Sequence, residues 1–232
     1  MNSVLQLPLA FDTIKLAAEL RLCESEQWTP HFNTADYSGA WSIISLRSAS
    51  GNATDILSHP GDGGYHDTPL LARCSYLAEI VAGFECEKES VRLLSLAPGA
   101  HIHEHIDPGA GYQHGLFRIH IPMQTNGDVY FIVDGHRLNM QSGQCWYADF
   151  SLPHSVQNRG SQARVNLILD CKRNAWSDRL FERAGYDFDA EARAKRPDAA
   201  TRAKIVAQLA EMKTETADRL IQQLLAEAQL DG

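Results

Sequence analysis

The sequence is short of cysteine, of clustered basic residues and of long apolar runs, and each shortage removes a class of protein. Five cysteines stand at positions 23, 74, 86, 145 and 171, an odd set with no C-x-x-C pair. That pattern argues against a disulfide framework and against a zinc ribbon, and it fits buried thiols in a reducing cytoplasm. Lys and Arg total 21 against 29 Asp and Glu, for a net charge of −8, and no basic cluster interrupts the balance. Nucleic acid is therefore not an expected partner. The N-terminus has no basic region leading into an apolar core, and no apolar run approaches the length that crosses a bilayer. No internal repeat is present. The expectation is a soluble cytoplasmic protein, and its 44% hydrophobic content suffices for a proper core.

The pattern along the chain changes twice. Near the start, Asp12 is placed to cap a helix running to about Glu24, with Ile14, Leu16, Ala17, Leu20 and Leu22 as its apolar face. Trp41 to Ser48 alternates as a strand, with Trp41, Ile43, Ser45 and Arg47 on one side. Ser50 to His66, centred on Pro60-Gly-Asp-Gly-Gly64, reads as a long loop, of a length suited to a lid or binding loop or else disordered without function. Asp67-Thr68-Pro69 then starts a helix that carries Leu70, Cys74, Leu77 and Val81 on one face and ends near Gly83.

From Val91 to Cys171 short alternating strands are punctuated by turns, the sharpest at Asp134-Gly135, where a type I′ hairpin wants positive φ at both positions. Strands so regularly spaced predict a sandwich or barrel. Helical periodicity returns after Trp176 and predicts two helices. One carries Ile205, Leu209 and Met212, the other Leu220, Ile221, Leu224 and Leu225, stripes suited to packing or to a homodimer contact.

Chemistry concentrates in His101-Ile-His-Glu-His105-Ile-Asp107-Pro108, answered downstream by His154 and Arg164. Two imidazoles and a carboxylate bind ferrous iron on one face and leave open positions for a substrate and dioxygen. An arginine beyond the distal histidine suits the far carboxylate of a keto acid, because guanidinium pairs two oxygens in fork geometry. Those elements in that order point to an iron(II)/2-oxoglutarate oxygenase. On a regular strand His101, His103, His105 and Asp107 would share one face. His101 and His103 thus compete as ligands, and a cupin-type metal site stays open, although no glutamate follows either histidine pair at cupin spacing. Arg164 opens a strand whose own face carries Asn166, Ile168 and Asp170. An interior arginine needs an anion, either a ligand carboxylate or an internal acid such as Asp170. Arg118 and His120 alternate with Phe117, Ile119 and Ile121, which implies a polar interior opposite an apolar face.

These residues resemble the aspartyl/asparaginyl β-hydroxylase family, whose bacterial relatives include hydroxylases of free proline. The resemblance runs from about Trp41 to Cys171. It is clearest in Arg92 to Gly99 with His105, in Arg118-Ile-His120-Ile-Pro122, and in Pro153-His154 with Arg164. It implies a mainly β, double-stranded β-helix (jelly roll, cupin-like) with flanking N-terminal and C-terminal helices, together with ferrous iron, 2-oxoglutarate and O2. Carried over by position, His105 and His154 are iron ligands, and Arg164 and His120 hold the cosubstrate. Arg118 and Arg92 match basic positions that face the substrate. The animal enzyme of the family has glycine where this chain has Asp107. Asp107 restores a full triad, as in the small-molecule proline hydroxylases.

The expectation that follows is an oxygenase domain over residues 1–175 and a helical extension over 176–232. Iron is held by His105, Asp107 and His154. The substrate is an amino acid, free or in a short peptide, whose carboxylate meets Arg118, Arg92 and Arg47. Two other readings remain open at this point. One is a non-redox cupin isomerase or small-ligand sensor using His101, His103 and His105, and the other is a catalytically dead jelly-roll module.

Overall fold

The computed structural model describes residues 2–57 and 64–229. Its elements run β1 (Val4–Ala10), α1 (Thr13–Cys23), β2 (Thr29–Pro30), β3 (Tyr37–Ser38), β4 (Trp41–Ser48), β5 (His66–Asp67), α2 (Pro69–Arg73), α3 (Ser75–Gly83), β6 (Lys88–Leu96) and β7 (His101–His105). After a 3-10 turn come β8 (Leu116–Gln124), β9 (Val129–Val133), β10 (His136–Leu138), β11 (Gln144–Ala148), β12 (His154–Asn158) and β13 (Arg164–Lys172). Four helices close the chain: α4 (Ala175–Arg183), α5 (Phe188–Ala194), α6 (Ala199–Met212) and α7 (Glu215–Gln229).

Among the described residues the strands form two antiparallel sheets, a larger one ordered β1-β11-β8-β13-β6-β4-β2, with β5 beside β4, and a smaller one ordered β10-β9-β12-β7-β3. This is a cupin-like double-stranded β-helix with helices before and after it, as expected. Between the sheets lies an apolar cluster that includes Leu96, Ile102, Phe131, Val133, Phe150 and Val156. Burying each such side chain contributes roughly 1.5–3 kcal/mol. The chain divides into two compact units. The first ends at Tyr186 and holds both sheets with α1–α4, and the second starts at Asp187 and holds α5–α7. No helix among the described residues is long and apolar enough to cross a membrane.

Several local expectations hold for the reasons given and others shift. Asp12 caps α1, accepting from the Ile14 and Lys15 amides at 2.9 and 3.1 Å. The buried face of α1 is Leu16, Glu19, Leu20 and Cys23, whereas Ile14 and Leu22 are 79% and 48% exposed. The stripe is rotated because Glu19 turns inward to accept the Tyr76 amide at the start of α3, at 2.9 Å. The helix expected to run from Pro69 to Gly83 is broken at Cys74, whose φ of −101° and ψ of 77° lie outside the helical region. Leu70, Cys74, Leu77 and Val81 are nonetheless all buried. Asp134 and Gly135 take φ of 50° and 73°, as the hairpin requires. The two C-terminal helices expected are present as α6 and α7, and two further helices, α4 and α5, precede them. Gly185, with φ of 88°, follows the end of α4, and the caps Asp187 and Asp198 start α5 and α6.

Candidate active site

His105, Asp107 and His154 each offer one donor atom within 4.8 Å of the others, the one such group of candidate metal ligands among the described residues. His105 lies directly opposite His154 across the β7–β12 pair, and their ring centroids are 4.2 Å apart. The Nδ1 of His105 is 2.8 Å from the His103 carbonyl oxygen, and the Nδ1 of His154 is 2.9 Å from that of Leu152. A carbonyl only accepts, so both Nδ1 atoms carry the proton and both Nε2 lone pairs are free. That is the tautomer a metal requires. Burial lowers the pKa of His154, which keeps its imidazole neutral. Asp107 lies beyond the end of β7, anchored by its amide to the Phe150 carbonyl at 2.8 Å, with Oδ1 3.8 Å from His105 Nε2.

A β-bulge puts His105 there. On β7, His101 pairs with Gln157 and Ile102 with Val156, but His154 pairs with His105, so β7 carries one residue more than β12 across that stretch. An extra residue reverses the inside–outside alternation. Ile102 and His105 therefore both face the cavity, while His101 and His103 do not line it. The expectation that four polar side chains share one face is corrected on this ground. A cupin site built from His101, His103 and His105 is excluded with it.

The cavity beside the triad has a volume of about 580 Å3 and is walled by both sheets. At one end stand Arg164 and His120. Arg164 is 5% exposed, and no acid pairs with it among the described residues. Its guanidinium carbon lies 5.1 Å from the Phe131 ring centroid. Burial alone lowers its pKa, to about 10. With its amide oxygen turned toward the donors, Asn166 accepts from Arg164 Nη2 at 2.7 Å and from His120 Nδ1 at 3.2 Å. His120 Nε2 is buried without a partner. Burial first, then the charges of Arg164 and Arg118, hold the His120 pKa well below its ordinary value. A buried cation is costly unless an anion answers it, whereas His120 Nε2, a lone pair when Nδ1 donates, would take a hydrogen-bond donor. The residues present therefore fit a carboxylate at this end and a divalent metal at the triad.

Six residues along β13 from Arg164, Asp170 organises a second cluster. It lies opposite Arg118 in the β8–β13 register and accepts from Arg118 Nε at 2.6 Å, from Ser90 Oγ at 2.6 Å and from Arg92 Nη2. Burial opposes ionisation of Asp170, but Arg118 and Arg92 outweigh it and depress its pKa far below the usual range. Arg118 also donates through Nη1 to Asp107 Oδ2 at 2.9 Å. Burial disfavours its charge, and Asp170 and Asp107 more than restore it, so its pKa rises. Arg118, expected to meet a substrate carboxylate, thus has two internal anions, Asp170 and Asp107. Asp170 does not serve Arg164.

Arg47 does not reach the cavity. Ser45 pairs with Arg92 but Arg47 with Val91, so a bulge at Leu46 reverses the alternation that puts Trp41 and Ile43 on the cavity side. The Arg47 guanidinium pairs with Asp67 and donates to the Lys88 carbonyl at 3.1 Å. Arg92 does line the cavity. Its Nη1 donates to the Ile56 carbonyl at 3.3 Å, and its buried Nε has no partner. Residues 58–63, the centre of the loop suited to a lid, lie outside the described residues. Sequence reasoning missed an aromatic wall. The His31 ring stacks on Trp41 at 3.7 Å and 7° and on Phe32 at 4.7 Å and 22°. Burial, then the Arg92 charge, lowers the His31 pKa to about 4, which keeps that ring neutral. Trp41 on a predicted strand was its only signal.

With the geometry established, comparison with known proteins gives consistent matches. The model of the family described as aspartyl/asparaginyl beta-hydroxylase matches residues 12–174. L-proline cis-4-hydroxylase of Rhizobium meliloti (strain 1021) is 25% identical over 171 residues, 72% of this chain and 60% of that protein. The chain thus spans 60% of the length of that curated relative. A crystal structure of an oxidoreductase of the 2OG-Fe(II) oxygenase family from Burkholderia pseudomallei matches with a TM-score of 0.51 at 13% identity. It covers 74% of this chain and 86% of its own, a likeness of fold.

Proposed function

The chain belongs to the aspartyl/asparaginyl β-hydroxylase family, and from that membership we propose an iron(II)/2-oxoglutarate-dependent hydroxylase that acts on an unactivated carbon of an amino acid, free or within a short peptide. One observation carries the reading. Three metal-donor side chains and a buried guanidinium without an acidic partner line the same cavity.

In this reading His105 and His154, through Nε2, and Asp107, through a carboxylate oxygen, hold ferrous iron. Iron, 2-oxoglutarate and dioxygen together supply the oxidation, one oxygen atom entering a C–H bond while the keto acid loses carbon dioxide to become succinate. The remaining roles fall to the chain. Arg164 pairs the far carboxylate of the keto acid in fork geometry. Asn166 holds both Arg164 and His120 in place for it. Phe131, Phe150 and Val156 keep that end apolar, so the ion pair forms away from bulk water.

The similarity to L-proline cis-4-hydroxylase favours a small amino acid as substrate. Arg92 is the better candidate for its carboxylate, because it lines the cavity and pairs with one internal carboxylate where Arg118 pairs with two. The neutral stack of His31, Trp41 and Phe32 offers a flat apolar surface to the rest of the molecule.

The test uses metal-free protein loaded anaerobically with iron(II) and 2-oxoglutarate. Oxygen is then admitted with and without each member of an amino-acid and short-peptide panel, and succinate is measured. The reading expects succinate above background, raised by a compound that gains one oxygen by mass. Absence of succinate under every condition would reject the oxygenase assignment.

A further inference from the structure

We propose that Arg118 is a positioning residue for the carboxylate of the metal triad, held in place for that task by Asp170, rather than a ligand for substrate. The inference rests on the metal-site reading above and deepens it.

Asp107 has no strand to fix it. It lies two residues past the end of β7, and the hydrogen bond from its amide to the Phe150 carbonyl orients the backbone only. Two torsions of the side chain are left free, yet a ligand carboxylate must present one oxygen to the metal. Arg118 supplies the constraint. It stands on β8 of the larger sheet, whereas Asp107 leaves the smaller one, so its 2.9 Å bond to Asp107 Oδ2 ties the two sheets at the triad. With Oδ2 engaged, Oδ1 is the oxygen 3.8 Å from His105 Nε2 and on the histidine side.

Arg118 is fixed in turn. Its Nε donates to Asp170 Oδ1 at 2.6 Å, and its guanidinium carbon lies 5.4 Å from the Phe150 ring centroid. Asp170 is itself held by Ser90 and Arg92. The order of support is Ser90 and Arg92 to Asp170, to Arg118, to Asp107. A lone guanidinium beside a divalent cation would weaken metal binding by charge repulsion. Asp170 offsets that charge, and the orienting hydrogen bond is what remains. Two of Arg118's donor directions are spent on these carboxylates, which is a poor arrangement for clamping a substrate carboxylate in fork geometry.

The test reads Mn(II) binding to metal-free protein, without keto acid or substrate, by titration with calorimetric or paramagnetic detection. Each variant is checked for a cooperative thermal melt. Arg118→Met and Asp170→Asn are expected to weaken Mn(II) binding by about 10- to 100-fold, the usual scale for loss of a partner that orients a metal ligand. Arg118→Lys, which keeps the charge and one donor, should recover part of the loss. Arg118 is the informative position, since removing its charge would by electrostatics alone strengthen metal binding, whereas Asp170→Asn weakens it by charge as well as by lost positioning. Arg118→Gln gives the same readout should Arg118→Met fail to fold.

Unchanged Mn(II) affinity in folded Arg118→Met or Arg118→Gln would overturn the assignment and leave the iron reading standing. Wild-type protein that binds no Mn(II) would overturn both.

Discussion

At the scale of single residues, the cavity contains three guanidiniums whose anions can be counted. Arg92 and Arg118 share Asp170, Arg118 also has Asp107, and Arg164 has none among the described residues. Charge this deeply buried is stable only when answered, so Arg164 and Asp170 make opposite predictions. Arg164→Met removes a buried cation that has no acidic partner among the described residues, at the loss of its hydrogen bond to Asn166. Folding stability should hold or rise, while 2-oxoglutarate affinity falls by about 3–5 kcal/mol and Mn(II) affinity is retained. Isothermal titration of the keto acid into Mn(II)-loaded protein separates these quantities, and unaltered keto-acid binding would make Arg164 structural. Asp170 behaves differently because its folded pKa lies below the unfolded value. The stability it confers is complete above the unfolded aspartate value of about 3.9. It drains away as pH falls below that value toward the lower folded one. Asp170→Asn should therefore destabilise the protein at neutral pH and flatten the acid limb of its stability curve. Urea midpoints measured from pH 7 down to pH 3 would show this, and parallel curves for the two proteins would refute it.

The triad gives the residue-scale prediction on which the bulge bears. Asp107→Ala and His154→Ala should each abolish tight Mn(II) binding, whereas His103→Ala, lying outside the cavity, should leave it intact. Loss of binding in His103→Ala with retention in Asp107→Ala would return the site to the upstream histidines. Their exclusion was not legible in the sequence. His101, His103 and His105 have identical spacing, and the pairing that separates them depends on β12, a distant segment of chain. That His105, Asp107 and His154 come together, with Arg164 in the same cavity, was legible because their types and order encode a chemistry. Arg47 was misplaced because a local alternation rule cannot report a bulge set by β6. The partner of Arg118 was missed for a related reason, since cross-strand register decides that Asp170 faces it.

At the scale of elements, turns place the strands that carry the site, and two glycines with similar backbone angles should respond unequally to substitution. Gly135, with φ of 73°, closes the β9–β10 hairpin, and a Cβ there would meet nothing within 4 Å. Gly143, with φ of 79°, precedes β11, and a Cβ there would lie 2.5 Å from the Phe11 carbonyl oxygen. That carbonyl belongs to backbone tied to Gly143 itself, whose oxygen accepts from the Phe11 amide at 2.8 Å. Gly135→Ala should cost only the left-handed strain of about 1–2 kcal/mol. Gly143→Ala adds a backbone clash that cannot relax without moving the start of α1, and should cost distinctly more. Chemical denaturation midpoints would check the order, and equal losses would contradict it. The Asp134-Gly135 turn was legible because its chemistry is local. The role of Gly143 was not, because it depends on where Phe11 lies in space.

At the scale of the whole molecule, every candidate ligand, anion-binding residue and cavity wall falls between His31 and Cys171. The family match ends at residue 174, and the compact unit that holds both sheets ends at Tyr186. Helices α5–α7 form a unit of their own, with caps at Asp187 and Asp198, and the described residues that line the cavity belong to the first unit. The last turn of the first unit is secured internally. Asn174 and Ser177 form a reciprocal cap on α4, and Phe181 stacks on Tyr112 at 3.7 Å. A chain stopped after Tyr186 should therefore keep its cooperative melt and bind Mn(II) and 2-oxoglutarate with affinities within about threefold of the full chain, a shift below 1 kcal/mol. A shortened chain that melts cooperatively yet has lost metal or keto-acid affinity would show that the helical unit takes part in the site.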